Sequence, residues 1–137
     1  MNLQKLPTNG KIWQIYAVCS DRGDCHVKEF LSNQPPNLTT NRDSLIALLD
    51  YVSESGPQRL PDDICHKIVD DIWQFTKGNL RLVWFYDAGK LIISTHGFVK
   101  KTQKTPKIEI KRAKEAKMLY FKAKEQNTLV VINNEED

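Results

Sequence analysis

The chain has 137 residues, 40% of them hydrophobic, which suits one domain with a modest core and no need of disulfide or metal staples. Its apolar runs are far too short to cross a bilayer, and Met1–Gly10 lacks the charged start, apolar stretch and cleavage site of a signal peptide. The formal net charge is only +3, but residues 98–124 hold ten Lys or Arg against two Glu, while the last thirteen residues hold four acids and no base. One basic surface on a near-neutral body points to a polyanion partner, most often nucleic acid; a solvated lysine-rich helix is the plainer alternative.

Taken in order, Lys11–Cys19 is β-branched and aromatic and predicts a first strand. Asp24, after the Asp21–Asp24 turn, is placed to cap a short helix over Cys25–Asn33, with Val27, Phe30 and Leu31 on one face. Gln34-Pro35-Pro36 ends it. Thr39-Thr40-Asn41 offers caps for a longer helix, whose Leu45, Ile46, Leu48, Leu49 and Val52 recur at helical spacing up to Gly56-Pro57. Pro61-Asp62-Asp63 opens a shorter segment with Ile64, Ile68 and Val69 apolar, a helical turn or an irregular connection.

Ile72–Thr76, Leu80–Tyr86 and Leu91–Phe98 are apolar runs separated by Lys77-Gly78-Asn79 and Asp87-Ala88-Gly89-Lys90. Short Gly-containing links between such runs predict a three-stranded antiparallel meander. Leu80, Leu82, Trp84 and Tyr86 would face one side, and Arg81, Val83 and Phe85 the other. Two largely apolar faces make this strand central, with Arg81 near its start. The last strand runs into Lys100, Lys101, Lys104 and Lys107, and Pro106 suits the first position of a helix. Lys107–Lys124 is that helix, with a narrow stripe of Ile110, Ala113, Ala116, Tyr120 and Ala123 amid lysines. Thr128–Ile132 is an added edge strand or a tail segment, and Asn133–Asp137 an acidic end expected to be disordered. The expected organisation is one domain over 1–126 and a C-terminal extension over 127–137.

Leu91–Pro106, LIISTHGFVKKTQKTP, resembles the phage-derived branch of the RelE/HigB-type toxins of bacterial toxin–antitoxin systems, within the wider RelE/ParE superfamily. His96–Pro106 is the specific part, and a Lys- and Ala-rich helix follows it there too. Cys25–Leu31, Leu48–Gly56 and Arg81 in LRLVWFYD match more loosely, from about Trp13 to Tyr120. The resemblance implies an α+β fold, with helices on one side of a small twisted antiparallel sheet. It implies an endoribonuclease cutting messenger RNA, often on the ribosome, and a cognate antitoxin, commonly of helix-turn-helix type. It implies neither a cofactor nor a membrane partner. Gln74-Phe75-Thr76 departs from it, because the family often has Glu-Leu-Arg there. Lys77 could replace the missing arginine only from the opposite face.

Cleaving RNA without metal uses the substrate's 2′-hydroxyl as nucleophile, so the protein must align the chain and stabilise phosphate charge. Arg81 offers a planar fork for that charge, and Lys100 a second cation, giving two candidate catalytic residues. His96 is the third, as base or acid, beside the plainer reading of a strand-end histidine bonded to backbone. Lys101, Lys104, Lys107, Lys77 and Tyr86 are candidate RNA-binding residues, although a tyrosine on such a strand is more often core. The three cysteines read as free thiols in a reducing cytoplasm; Cys25-His26 and Cys65-His66 have no standard zinc spacing. Two other functions stay open: a ParE-like toxin that inhibits a protein target such as DNA gyrase, and a non-catalytic nucleic-acid-binding phage accessory protein.

Overall fold

The computed structural model describes residues 1–102 and 104–132, so the expected disorder of Asn133–Asp137 lies outside the described residues. Strands β1 (Asn2–Lys5) and β2 (Gln14–Cys19) come first, then helices α1 (His26–Ser32) and α2 (Thr39–Ser55). Strands β3 (Cys65–Val69), β4 (Ile72–Lys77), β5 (Leu80–Asp87) and β6 (Leu91–Val99) follow. Helix α3 (Lys107–Glu125) and the short strand β7 (Val130–Val131) are the last elements among the described residues. The seven strands form one sheet in the order β3-β4-β5-β6-β2-β1-β7. The β2–β6 and β1–β7 pairs are parallel and the rest antiparallel. The fold is α+β, as the sequence predicts.

The meander forms as expected because each linker supplies the backbone its turn needs. Gly78 takes φ +59° between β4 and β5, a left-handed conformation that glycine adopts without strain. The alternation along β5 also holds. Leu80, Leu82 and Trp84 enter the larger core with Phe75, Ile15, Val27, Leu45 and Val52. Val83 and Phe85 face the other way, into smaller clusters with Ala113 and Tyr120 of α3. The helices therefore pack on both faces of the sheet, α1 and α2 on one and α3 on the other. One-sided packing, implied by the resemblance, is corrected here. The physical reason is that β5 is apolar on both faces, and the Ala stripe of α3 lets that helix lie close over the second.

Other expectations are corrected in detail. Residues 65–69 are strand β3, hairpinned onto β4 through Asp70, whose φ is 49°. Strand β1 was hidden in a segment whose two core residues, Leu3 and Leu6, do not alternate. Asp24 does not cap α1; Cys25 occupies the cap position without a side-chain bond. Ile46 is 44% exposed, off the buried stripe of α2. Pro106 sits at the cap of α3, one residue before its first turn.

Two features fix the second face. The Tyr120 hydroxyl donates to Asp87 Oδ2 at 2.5 Å, and Lys124 Nζ reaches both Asp87 oxygens at 2.9 Å. Burial pushes the Asp87 carboxyl up, but these bonds and the Ala88 N–H outweigh it and leave the pKa below the ordinary value. Where β5 meets β6, the register shifts between Val83 and Trp84, so Thr95 is the extra residue of a bulge. Its hydroxyl donates to Val83 O at 3.4 Å and shares a 2.9 Å hydrogen bond with His96 Nδ1. Gly97 lies under the Phe30 ring, where a Cβ would collide.

Candidate nucleic-acid interface

An open cavity of about 680 Å³ lies where β3, β4 and β5 meet the loop between β6 and α3. Alternation and register build its floor. Thr76 pairs with Arg81, and Gln74 with Val83 on one side and His66 on the other, so these side chains share a face. Lys100, directly after β6, and Lys104 supply a basic rim, with Phe98 beneath. Asp62 and Asp63, from the segment before β3, line the cavity too. The basic loop is tied to the floor where the Thr105 hydroxyl donates to Gln74 Oε1 at 3.1 Å. Gln74 is itself buried.

Arg81 is only 7% exposed. Its Nη1 donates to Gly78 O at 2.7 Å and Leu80 O at 3.1 Å. Among the described residues no carboxylate forms a salt bridge with it. Burial pulls its pKa below the usual arginine value, yet a guanidinium stays charged. A cation buried without a counter-charge is costly, and an arriving anion would relieve that cost. Two carbonyls occupy one arm of the fork and fix its direction.

The predicted residues divide into groups. Arg81, Lys100 and Lys104 meet at the cavity. Lys101 and Lys107 are exposed on the same loop and the first turn of α3. Lys77 pairs with Leu80, which belongs to the larger core, so it points away from Arg81's face. Tyr86 lies at the far end of β5 in an aromatic cluster with Trp13, Trp73 and Trp84, and burial raises its pKa.

His96 is fully buried between β6, α1 and α3, and is not part of the cavity. Its Nε2 lies 3.0 Å from Glu109 Oε1, but off the direction of a hydrogen bond. Burial, with Arg112 and His26 nearby, lowers its pKa to about 3. His96 is therefore a buried histidine kept neutral by its surroundings, and it stands apart from the Arg81 cavity, beside a separate pocket lined by His26, Glu29 and Arg112.

Sequence reasoning missed His66 as a cavity residue because it missed β3, which places His66 opposite Gln74 of β4. Pairing with β4 puts Cys65 against the larger core and His66, half-buried, on the opposite face, an arrangement that residues 65–69 do not show by themselves. No group of three or more His, Cys, Asp or Glu among the described residues is placed to hold a metal ion. The three cysteines are free and buried. Burial, then Cys25, pushes the Cys19 thiol up to about 12, and burial, then Asp62, pushes Cys65 up to about 11, so both stay protonated. No helix among the described residues is long and apolar enough to cross a membrane.

A family model described as phage derived protein Gp49-like matches residues 29–118, which span α2, the meander, the basic loop and most of α3. No curated protein matches the chain.

Proposed function

Because the chain belongs to the Gp49-like family of phage-derived proteins, associated with RelE-like toxins of toxin–antitoxin systems, we propose that it is an endoribonuclease toxin that cuts messenger RNA, in association with the ribosome. The observation that carries this reading is Arg81, a buried cation without an acidic partner among the described residues, facing a cavity rimmed by Lys100 and Lys104. Phosphate is the ligand such a site suits. The 2′-oxygen attacks phosphorus in line, and charge accumulates on the phosphate oxygens. A rigid guanidinium on a central strand meets that charge without reorganising, and this is where electrostatic catalysis gains most. The lysines, on a loop, capture and steer the chain.

Induced expression without a partner should arrest bacterial growth. Mapping message ends should then show new internal 5′ ends, fewer of them when ribosomes are withheld. Normal growth at confirmed expression would remove the toxin reading. Arrest without new ends would favour a second reading, a ParE-like toxin that inhibits a protein target such as DNA gyrase. Thr76 supports that alternative, since it stands where the resemblance places an arginine.

The same reading gives the chain a cognate antitoxin of helix-turn-helix type that covers the Lys100–Lys107 surface. It also separates capture from chemistry. Neutralising Lys101 and Lys104 together should weaken RNA or ribosome binding and flatten its salt dependence by about two counter-ions. Single-turnover cleavage at saturating protein should remain. Binding measured across a salt series checks this, and an unchanged slope would remove the two lysines from the interface.

A further inference from the structure

Arg81, Lys100 and Lys104 are all cations. Side chains of these types stabilise charge and donate protons rather than accept them. Attack by a 2′-hydroxyl needs a group that takes its proton. Imidazole is the side chain whose ordinary titration falls near neutrality, and the chain holds three. His96 is fully buried, with Nδ1 engaged by Thr95. His26, at the start of α1, packs against Phe30 and His96 and stands outside the cavity.

His66 differs on each count. It lines the same cavity as Arg81, Lys100 and Lys104. It is half-buried, and among the described residues no hydrogen bond ties its ring. Register places it opposite Gln74, on the face that carries Thr76 and Arg81. Among the described residues its strand is the edge of the sheet, paired with β4 on one side and open on the other. The charged groups around this cavity are Asp62 and Asp63 from the preceding segment, Lys67 beside it, Arg81 from β5, and Lys100 and Lys104 from the basic loop. The two aspartates give a protonated imidazole somewhere to rest, opposing the cations.

On the nuclease reading above, we infer that His66 is the general base of the cavity. Its neutral imidazole accepts the 2′ proton as the bond from the 2′-oxygen to phosphorus forms. The bond from phosphorus to the 5′-oxygen breaks, and that oxygen takes a proton from the Lys100 ammonium. The products are a 2′,3′-cyclic phosphate and a 5′-hydroxyl. Water then returns a proton to Lys100 and removes one from His66, so nothing is oxidised or reduced.

The test is single-turnover cleavage of a bound message by wild type and His66→Gln across a pH series, with thermal unfolding and RNA binding measured beside it. We expect a loss of about 100-fold or more, as for a positioned proton acceptor, with binding unchanged. The rise of wild-type rate with pH on the acid side should disappear. The defect should persist on a substrate whose 5′-oxygen is replaced by sulfur, because a better leaving group does not help a missing base. Recovery on that substrate would overturn the base assignment, as would a wild-type rate or an unaltered acid limb in His66→Gln. If the variant does not fold, the His66 ring resonances of wild type should shift on adding an uncleavable 2′-deoxy analogue, and an unmoved signal overturns the inference. Cleavage by wild type together with full activity of His66→Gln sinks this inference alone. No cleavage by wild type sinks the nuclease reading with it.

Discussion

Replacing Arg81 with alanine is expected to lower the cleavage rate of bound message by about 100-fold or more, the typical loss for one electrostatic stabiliser. The expectation rests on where the guanidinium is held. Strand β5 has neighbours on both sides and apolar faces on both sides, so it is among the most rigid elements. Nη1 is anchored by the carbonyls of Gly78 and Leu80, leaving the rest of the fork for a ligand. The fold should tolerate the change, because removing an uncompensated buried charge costs little beyond two hydrogen bonds to turn carbonyls. Arg81→Lys should recover part of the rate, since it restores charge but not the planar fork. The measurement is single-turnover cleavage at saturating protein. If Arg81→Ala cleaves normally once saturated, Arg81 only binds, and the electrostatic role passes to Lys100.

Much of this site was legible in the sequence, for a physical reason. A two-residue period with both phases apolar can only be a strand covered on both sides, and that places Arg81 on a defined face. The Lys cluster between the last meander strand and a Lys-Ala helix was visible in the same way. What stayed hidden depended on pairing. Residues 65–69 carry one cysteine, one histidine and one lysine and look irregular until β4 supplies a partner. Without β3, His66 had no face, and the sequence offered His96 alone as a candidate base or acid, beside the plainer reading of a strand-end histidine. Local sequence also gave no sign of the bulge at Thr95, which settles where His96 points. The nearest sequence clue was Gly97, whose missing Cβ makes room for Phe30 and so draws α1 onto β6.

The buried histidine carries the last expectation, a loss of stability on mild acidification. The His96 pKa is about 3 in the folded protein against an ordinary 6.5. Between those values the unfolded chain binds a proton that the folded one refuses. Stability is therefore fully kept above about pH 6.5 and declines as pH falls towards 3, by up to about 1.4 kcal/mol per pH unit. Burial is the main cause, followed by Arg112 of α3 and His26 of α1. Glu109 lies 3.0 Å from Nε2 but off the direction of a hydrogen bond, and it does not offset these causes. The loss should be read between pH 6.5 and 4.5. Asp87, the clasped carboxylate, has its pKa below the ordinary value, so its own contribution is lost only under more acid conditions. His26, also lowered by burial, then Arg112, adds a second slope in the same direction. Denaturant midpoints taken across this window should fall steadily for wild type and less steeply for His96→Gln, which keeps a polar group at the site and cannot titrate. An equal slope in the two proteins would show that His96 takes its proton without cost in the fold. The acid response should be felt first around the start of α3, since Glu109 sits in its first turn, directly after the basic loop that Thr105 ties to Gln74.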